Sequence, residues 1–480
     1  MTQTLYWYDF ETTGIDSRRD RVVQFAGVRT DLDFNIIAEP DVFYCRLQDD
    51  VLPHPDACLV TGISPQKTLQ EGLLEPDFIK RIHQQFSTPQ TCVAGFNSIR
   101  FDDEFTRQLL YRNFYDPYAR EWKSGNSRWD IIDVVRLMYA LRPDGINWPK
   151  REDGQVSFKL ELLTAANNIS HQSAHDALSD VYATIAVAKL IKEKQPRLYD
   201  WAYSLKDKRK ALECLNLQQK PAIVHVSGKY PAAKHCLAVV MPLGAHPVNK
   251  NSVIACDLSI DPAAMLSMTA DEIYQRLYTS TDDLAEGESR IPLKLIHANK
   301  SPMLAPLSTL NGELAKELGV DLVACERNRQ TLLSTAINDK LKLVFSKNDF
   351  DVEEDPDMML YGGGFFSAID NENMQRIRNT AADQLARLDL PFEDQRLEEM
   401  LFRYRARNYP ETLSNEEQNR WLDHRRAWLE RGEGNRLDLN SYFDRIDELV
   451  SDETLSEDQQ ELLAQLIEFG SDYSEQLGLD

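Results

Sequence analysis

Leu5-Tyr6-Trp7-Tyr8-Asp9-Phe10-Glu11 opens the chain with an aromatic run that ends in two nearby carboxylates. Such a run reads as a β-strand. Residues two apart in a strand share a face, so Asp9 and Glu11 project together while Phe10 packs on the other side. Two acids so close repel unless a cation lies between them, and carboxylate oxygens suit hard ions such as magnesium or manganese. A surface strand end with two solvated acids is the ordinary alternative for an isolated D-x-E. The pair acquires meaning only from what else the chain places beside it.

Working outward, VVQFAGVRT and VFYCRL are further strand-like runs, followed by a helical stretch around Phe78 to Phe86 and a strand at TCVAGF. Helical patterns then occupy FTRQLLYR, IIDVVRLMYAL, KLELLTAAN and HDALSDVYATIAVAKLI. Strands first, then helices alternating with one more strand, predict an α/β domain over residues 1–192, a mixed sheet covered by helices. The character changes after Gln195-Pro196. The basic cluster Lys206-Asp207-Lys208-Arg209-Lys210 leads into AIVHVSGKY, CLAVVMPL, SVIACDL and PLKLIHANKSPML, the grammar of a small β-rich domain over 196–348. From 349 to 480 the segments MQRIRNTAADQLARL, RLEEMLFRYRARN, NEEQNRWLDHRRAWLE and DQQELLAQLIEF are all helical in pattern.

A chain of 480 residues is too long for one compact core, which fits three domains. Hydrophobic residues at 42% and charged residues at 27% are ordinary globular values. No apolar run approaches the roughly 20 residues that span a bilayer, and MTQTLYWYDF lacks a basic n-region with an apolar h-region. The expectation is a protein neither exported nor membrane-inserted. Seven scattered cysteines without a C-x-x-C pair argue against a disulfide framework or a zinc ribbon, and for a reducing cytoplasm.

The net charge of −23 looks wrong for a nucleic-acid binder, which needs Lys and Arg for phosphates. Its distribution matters more: the net is −6 over residues 1–195, +3 over 196–348 and −20 over 349–480. A near-neutral or basic groove in the first two thirds remains open. The acidic last third reads as a solvated helical surface.

A second chemical signal is Gly95-Phe96-Asn97-Ser98-Ile99-Arg100-Phe101-Asp102-Asp103-Glu104, a strand end running into an acidic first helical turn. Those acids could simply complement the helix dipole, which accounts for Asp103 and Glu104 and also for Asp102 unless partner acids exist elsewhere. A third is His175-Asp176-Ala177-Leu178-Ser179-Asp180, where His175 falls at a helix mouth and Asp180 inside the helix. A lone histidine there is more often a cap or packing residue. An aspartate inside an amphipathic helix is harder to dismiss.

Together these give D-x-E, then D, then H-x4-D in chain order within one α/β domain. In this the chain resembles the DEDDh, or DnaQ-like, 3′-to-5′ exonucleases, whose four acids correspond to Asp9, Glu11, Asp102 and Asp180 and whose histidine corresponds to His175. FNSIRFDDE, RNFYDPY, NSRWDIIDV, YALRPDGINWP, AHDALSDVYATIA, HVSG and RYRARNYP further resemble stretches of the bacterial exonuclease I branch, over nearly the whole chain. That resemblance implies a ribonuclease-H-like nuclease domain, then an SH3-like domain and a C-terminal helical domain. It also implies a processive 3′-to-5′ exodeoxyribonuclease that degrades single-stranded DNA to 5′-mononucleotides in DNA repair and recombination.

By the same resemblance, Asp9, Glu11 and Asp180 hold two Mg²⁺ ions, with Asp102 completing the site directly or through water, and Mn²⁺ can substitute. Histidine ordinarily titrates near neutrality, so His175 is suited to take a proton from the attacking water. Substrate contacts carried over are Glu11, Arg107, Tyr118, Trp122, Arg136, Lys159, Trp201, Lys208, Asn251, Lys294 and Asn299. At Lys159 the family more often has arginine, and lysine loses the bidentate fork. Core packing is the ordinary alternative for Trp122 and Trp201. Implied partners are single-stranded DNA and the acidic tail of single-stranded DNA-binding protein. A monomer is the working expectation for the oligomeric state, which the residues leave open.

A DEDDh exoribonuclease and a non-catalytic single-stranded DNA-binding module are the alternatives. Enzymes of the first kind are generally shorter, and the second would be favoured by a missing acid, whereas all five chemical positions are intact. An adaptor that uses its acidic helical end rests on charge alone.

Overall fold

The computed structural model describes residues 2–171, 176–280, 283–285, 288, 290–347, 353–434 and 436–479. They form two compact units, each assembled from separated stretches of chain. One comprises Met1–Ser127, His171–Tyr182 and Val352–Asp480, the other Arg128–Ser170 and Ala183–Asp351.

The first unit is organised by β1 (Thr4–Thr12), which runs antiparallel to β2 (Val22–Thr30) on one side. Strand β2 pairs in turn with the short β3 (Asp41–Tyr44), again antiparallel. On its other side β1 runs parallel to β4 (Thr91–Gly95), so the sheet is mixed, as expected from the order of strands and helices. The order within this unit is β3-β2-β1-β4, and the chain passes into the second unit through the short strand β5 (Ser127–Asp130).

Alternation along β1 sends Tyr6, Tyr8 and Phe10 to one face, where they bury with Phe25 against Phe78, Ile79, Ile82 and Phe86 of the helix Glu75–Phe86 and Phe105, Leu109 and Leu110 of the helix Asp102–Arg112. Each fully buried aromatic contributes about 1.5 to 3 kcal/mol, so this aromatic stack fixes the register of the strand that carries Asp9 and Glu11.

The helices Arg396–Asn408, Asn415–Leu429, Leu439–Val450 and Glu457–Leu477 belong to the same unit. Ser414 and Ser456 start two of them with capping boxes closed by Glu417 and Gln459. The apolar faces of Asn415–Leu429, Leu439–Val450 and Glu457–Leu477, including Leu429, Tyr442, Ile446, Leu463 and Leu466, close over Val23, Leu47, Leu52 and Cys58 near the start of the chain. The acid excess of this segment conceals buried arginines. Arg407 donates through Nε to Asp50 at 2.9 Å and through Nη2 to Asp357 at 2.5 Å, and Arg403 reaches Asp355 at 2.6 Å. The solvated surface expected from charge alone is therefore only half the picture, since Arg403 and Arg407 lie inside.

The second unit carries β6 (Ile223–Val226), β7 (Leu237–Ala245), β8 (Ser252–Asp257), β9 (Leu293–His297) and β10 (Met303–Pro306). They form an antiparallel sheet of order β10-β6-β7-β8-β9. A register shift between Pro242 and Gly244 falls where proline offers no N–H to the ladder. The run PLKLIHANKSPML resolves into two strands that are not neighbours. The segment is also less purely β than its pattern suggests, since Ala270–Tyr278, Leu322–Leu333 and Asn338–Ser346 are helices. Among the described residues, no helix is long and apolar enough to cross a membrane.

Candidate active site

Asp9 and Glu11 stand on β1 opposite Ala26 and Gln24, on the face away from the aromatic stack. The ladder shifts register between Glu11 and Thr12, so the strand ends where the acids are presented. Beyond it the backbone turns at Gly14, where an added Cβ would lie 2.4 Å from the Asp20 carboxylate. A side chain at that turn would displace Asp20 or His54. Asp20 holds the turn by accepting from the Asp16 N–H at 2.8 Å.

Asp102 is the first residue of its helix and accepts from the Phe10 N–H at 3.2 Å. Asp180 lies in the first turn of the helix Ala177–Lys194. Asp9, Glu11 and Asp180 each bring a carboxylate oxygen within 4.8 Å of the others. His175 lies outside the described residues. Asp103 and Glu104 have specific partners rather than merely facing a helix dipole. Asp103 pairs with Arg120 at 2.5 Å and accepts from the Tyr8 hydroxyl at 2.9 Å, while Glu104 accepts from Arg107 at 2.9 Å and from the Tyr361 hydroxyl.

Burial raises the Asp9 carboxyl well above the usual range, and the charges of Asp102, Glu11 and Asp180 push it further. Burial likewise lifts Glu11 to about 9, with Asp180 and Asp102 adding repulsion. Acids crowded in this way hold protons unless a cation replaces them. A donor set of carboxylate oxygens alone matches a hard divalent ion, so the residues present fit such a metal.

One close neighbour escaped the sequence reading. His171, with a side chain 5% exposed, places Nε2 2.5 Å from Asp180 Oδ1. Its only sequence signal is a position nine residues ahead of an aspartate, which carries little information.

Of the candidate substrate contacts in this unit, Trp122 is 68% exposed. Arg107 is buried and bound through Nε and Nη2 to both oxygens of Glu121, at 2.8 and 3.2 Å. Its guanidinium lies 5.4 Å from the centre of the Tyr118 ring, and its Nη1 donates to the Tyr361 hydroxyl at 3.1 Å. Phe365, 91% exposed, meets Tyr118 edge to face at 6.1 Å. Tyr361 and Phe365 were not singled out from sequence. They sit in the run Tyr361-Gly362-Gly363-Gly364-Phe365-Phe366, whose three glycines between aromatics were the available cue.

In the second unit, Arg136 pairs with Asp133 at 2.7 Å, and the exposed Lys159 stands 3.6 Å from Glu161. Lys208 Nζ donates to Asn251 Oδ1 at 2.5 Å. Lys294 lies over the Tyr230 ring at 4.7 Å, and burial together with Lys229 and Arg290 lowers its ammonium pKa. The Asn299 carbonyl accepts from Arg128 at 3.1 Å. Trp201 donates its indole N–H to the Leu304 carbonyl at 2.7 Å and packs against the sheet's core.

Family models match in three consecutive blocks: an exonuclease over residues 6–188, an exonuclease I SH3-like domain over 206–347 and an exonuclease I C-terminal domain over 354–473. The exodeoxyribonuclease I of Escherichia coli strain K12 is 47% identical over 88% of this chain and 89% of its own. The chain belongs to the exodeoxyribonuclease I family. Among solved structures, a moderately thermophilic exonuclease I from Methylocaldum szegediense is 47% identical with a TM-score of 0.93, covering 98% of this chain and 99% of that one. Escherichia coli exonuclease I bound to a dA16 oligonucleotide is 43% identical with a TM-score of 0.94, covering 98% and 100%. As a member of this family the protein is a nuclease, a hydrolase of phosphodiester bonds, built as an exonuclease domain followed by SH3-like and C-terminal domains. Its acidic cluster serves a divalent-metal-dependent reaction.

Proposed function

We propose that the protein removes 5′-mononucleotides processively from the 3′ end of single-stranded DNA. The observation that carries this reading is the convergence of Asp9, Glu11 and Asp180 from β1 and a distant helix, in a chain that follows exodeoxyribonuclease I over 88% of its length. Asp9, Glu11 and Asp180, with Asp102 completing the set, hold two Mg²⁺ ions, for which Mn²⁺ can substitute. The ions supply charge neutralisation at the phosphate and activation of the attacking water. His175 accepts the proton that the water gives up. The water oxygen bonds to phosphorus, the bond from phosphorus to the 3′-oxygen of the preceding nucleotide breaks, and that oxygen takes up a proton as the new 3′-hydroxyl.

Glu11, Arg107, Tyr118, Trp122, Arg136, Lys159, Trp201, Lys208, Asn251, Lys294 and Asn299 contact the strand, cations serving phosphates and aromatic faces serving bases. The exposed rings of Tyr361 and Phe365 extend that aromatic surface. Domain boundaries fall at 1–192, 196–348 and 349–480. The protein acts as a cytoplasmic monomer in DNA repair and recombination, and the basic middle domain receives the acidic tail of single-stranded DNA-binding protein.

Incubating 5′-labelled single-stranded DNA with and without Mg²⁺ tests this reading. Mononucleotide release from the 3′ end, dependent on the metal and abolished by Asp9→Ala, is expected. Undiminished release by Asp9→Ala, or equal digestion of RNA or duplex competitors, would refute it.

A further inference from the structure

We propose that His171 is a positioning residue that holds the Asp180 carboxylate in its metal-binding orientation. The inference rests on the reading of Asp180 as a metal ligand and adds a partner to it. Asp180 sits in the first turn of its helix, with oxygens of Asp9 and Glu11 within 4.8 Å. In a metal-free site their repulsion drives the Asp180 side chain to rotate away, and nothing in a helical backbone prevents it.

The imidazole of His171 opposes that rotation. It comes from outside the helix, it is almost fully buried, and its Nε2 stands 2.5 Å from Asp180 Oδ1, where an N–H donates to the carboxylate. Engaging one oxygen restrains rotation of the carboxylate that Asp180 brings within 4.8 Å of Asp9 and Glu11. Partners of this kind, one shell removed from the metal, typically change metal affinity by about 10- to 100-fold when removed. An ordinary ion pair at a helix start would instead affect stability alone.

The test is titration of Mn²⁺ into the full-length, DNA-free protein, followed calorimetrically, for the wild type, His171→Leu, His171→Gln, His171→Asn and Asp180→Asn. His171→Leu should bind Mn²⁺ about 10-fold or more weakly, while His171→Gln, whose amide reaches the same place, should recover most of the affinity. In activity assays the metal concentration giving half-maximal rate should rise more than kcat falls. Should His171→Leu fail to fold, the shorter His171→Asn must bind more weakly than His171→Gln.

Wild-type affinity in His171→Leu, or equal losses in the leucine and glutamine variants, would overturn the positioning role while leaving Asp180 a ligand. In the second pair of variants, equal affinity of His171→Asn and His171→Gln would do the same. Wild-type Mn²⁺ affinity in Asp180→Asn would overturn the ligand assignment and the positioning role together.

Discussion

The backbone N–H of Phe10 donates to Asp102 Oδ1 at 3.2 Å, tying the acid that opens a helix to the strand residue lying between Asp9 and Glu11. Asp102 is thus held by geometry and opposed by charge, since it is among the groups that raise both Asp9 and Glu11. Asparagine keeps a carbonyl acceptor for Phe10 and removes the charge. Metal-free Asp102→Asn should therefore melt at or above the wild-type temperature, while turnover falls on the order of 10²-fold or more. Thermal melting in chelator, alongside nuclease assays, checks both halves, and a destabilised variant would contradict the argument.

Glu11 is lifted to about 9 by burial and by its acidic neighbours, and Asp9 is raised with it. Below that pH the metal-free site carries protons that a cation must displace, so Mn²⁺ should bind more tightly as pH rises from about 6 toward 9, releasing protons. The stability sign follows. The folded state binds more protons than the unfolded one between the ordinary carboxyl range and about 9, so these groups destabilise the metal-free protein progressively as pH rises through that window. The rise in Tm on adding Mn²⁺ should accordingly be larger at pH 8 than at pH 6. Calorimetry in buffers of different ionisation enthalpy measures the proton release directly.

Residues close in sequence made most of the site legible, and contacts remote in sequence hid the rest. Asp9 and Glu11 could be assigned to one face because strand alternation is local, and Phe10 lies in the aromatic stack on the other. The helices Ala270–Tyr278 and Leu322–Leu333 were missed inside a β-like segment, although Thr269 and Glu272 form a capping box readable as T-x-x-E. His171 and the buried arginines were illegible for a different reason. Their partners Asp180, Asp50 and Asp357 are chosen by tertiary packing, and a charge count cannot distinguish an arginine inside from one in water.

His424 lies between the indoles of Trp421 and Trp428, with ring centroids at 4.7 and 3.9 Å. Burial first, then Arg403 and Arg407, lower its imidazole to about 3, despite the opposing pull of Asp50. An unfolded histidine protonates near 6.5, so the unfolded state takes up this proton first, and stability should fall as pH drops from about 6.5 toward 3. His83, lowered to about 4 by burial and by Arg378, acts in the same window. Asp50 adds a later loss. Burial alone would raise it, but Arg407 and Arg21 hold it well below the carboxylate range, and its contribution disappears only when that acid finally protonates. His424→Phe should flatten the pH dependence of the unfolding free energy between about 6.5 and 4, by on the order of a few kcal/mol. Urea unfolding at stepped pH checks this, and an unchanged slope would show that His424 does not titrate as its burial requires.

Two aromatic classes should separate under mutation. Trp122 and Phe365 present exposed faces and contribute little to the core, so Trp122→Ala and Phe365→Ala should leave melting within about 1 °C of wild type, as surface substitutions do. Each should nevertheless weaken binding of an oligonucleotide by about 1 to 3 kcal/mol if a base stacks there. Turnover on a short oligonucleotide too small to reach them should be unaffected. Trp201 differs, because its indole N–H holds the Leu304 carbonyl and its ring packs on the core of the second unit. Trp201→Ala should lower stability together with affinity, and Trp201→Phe, which keeps the ring but not the donor, should recover part of the stability. Fluorescence anisotropy with labelled single strands, read beside thermal melting, distinguishes the two classes. Loss of affinity at Trp122 or Phe365 accompanied by comparable unfolding would remove the case for a stacking surface.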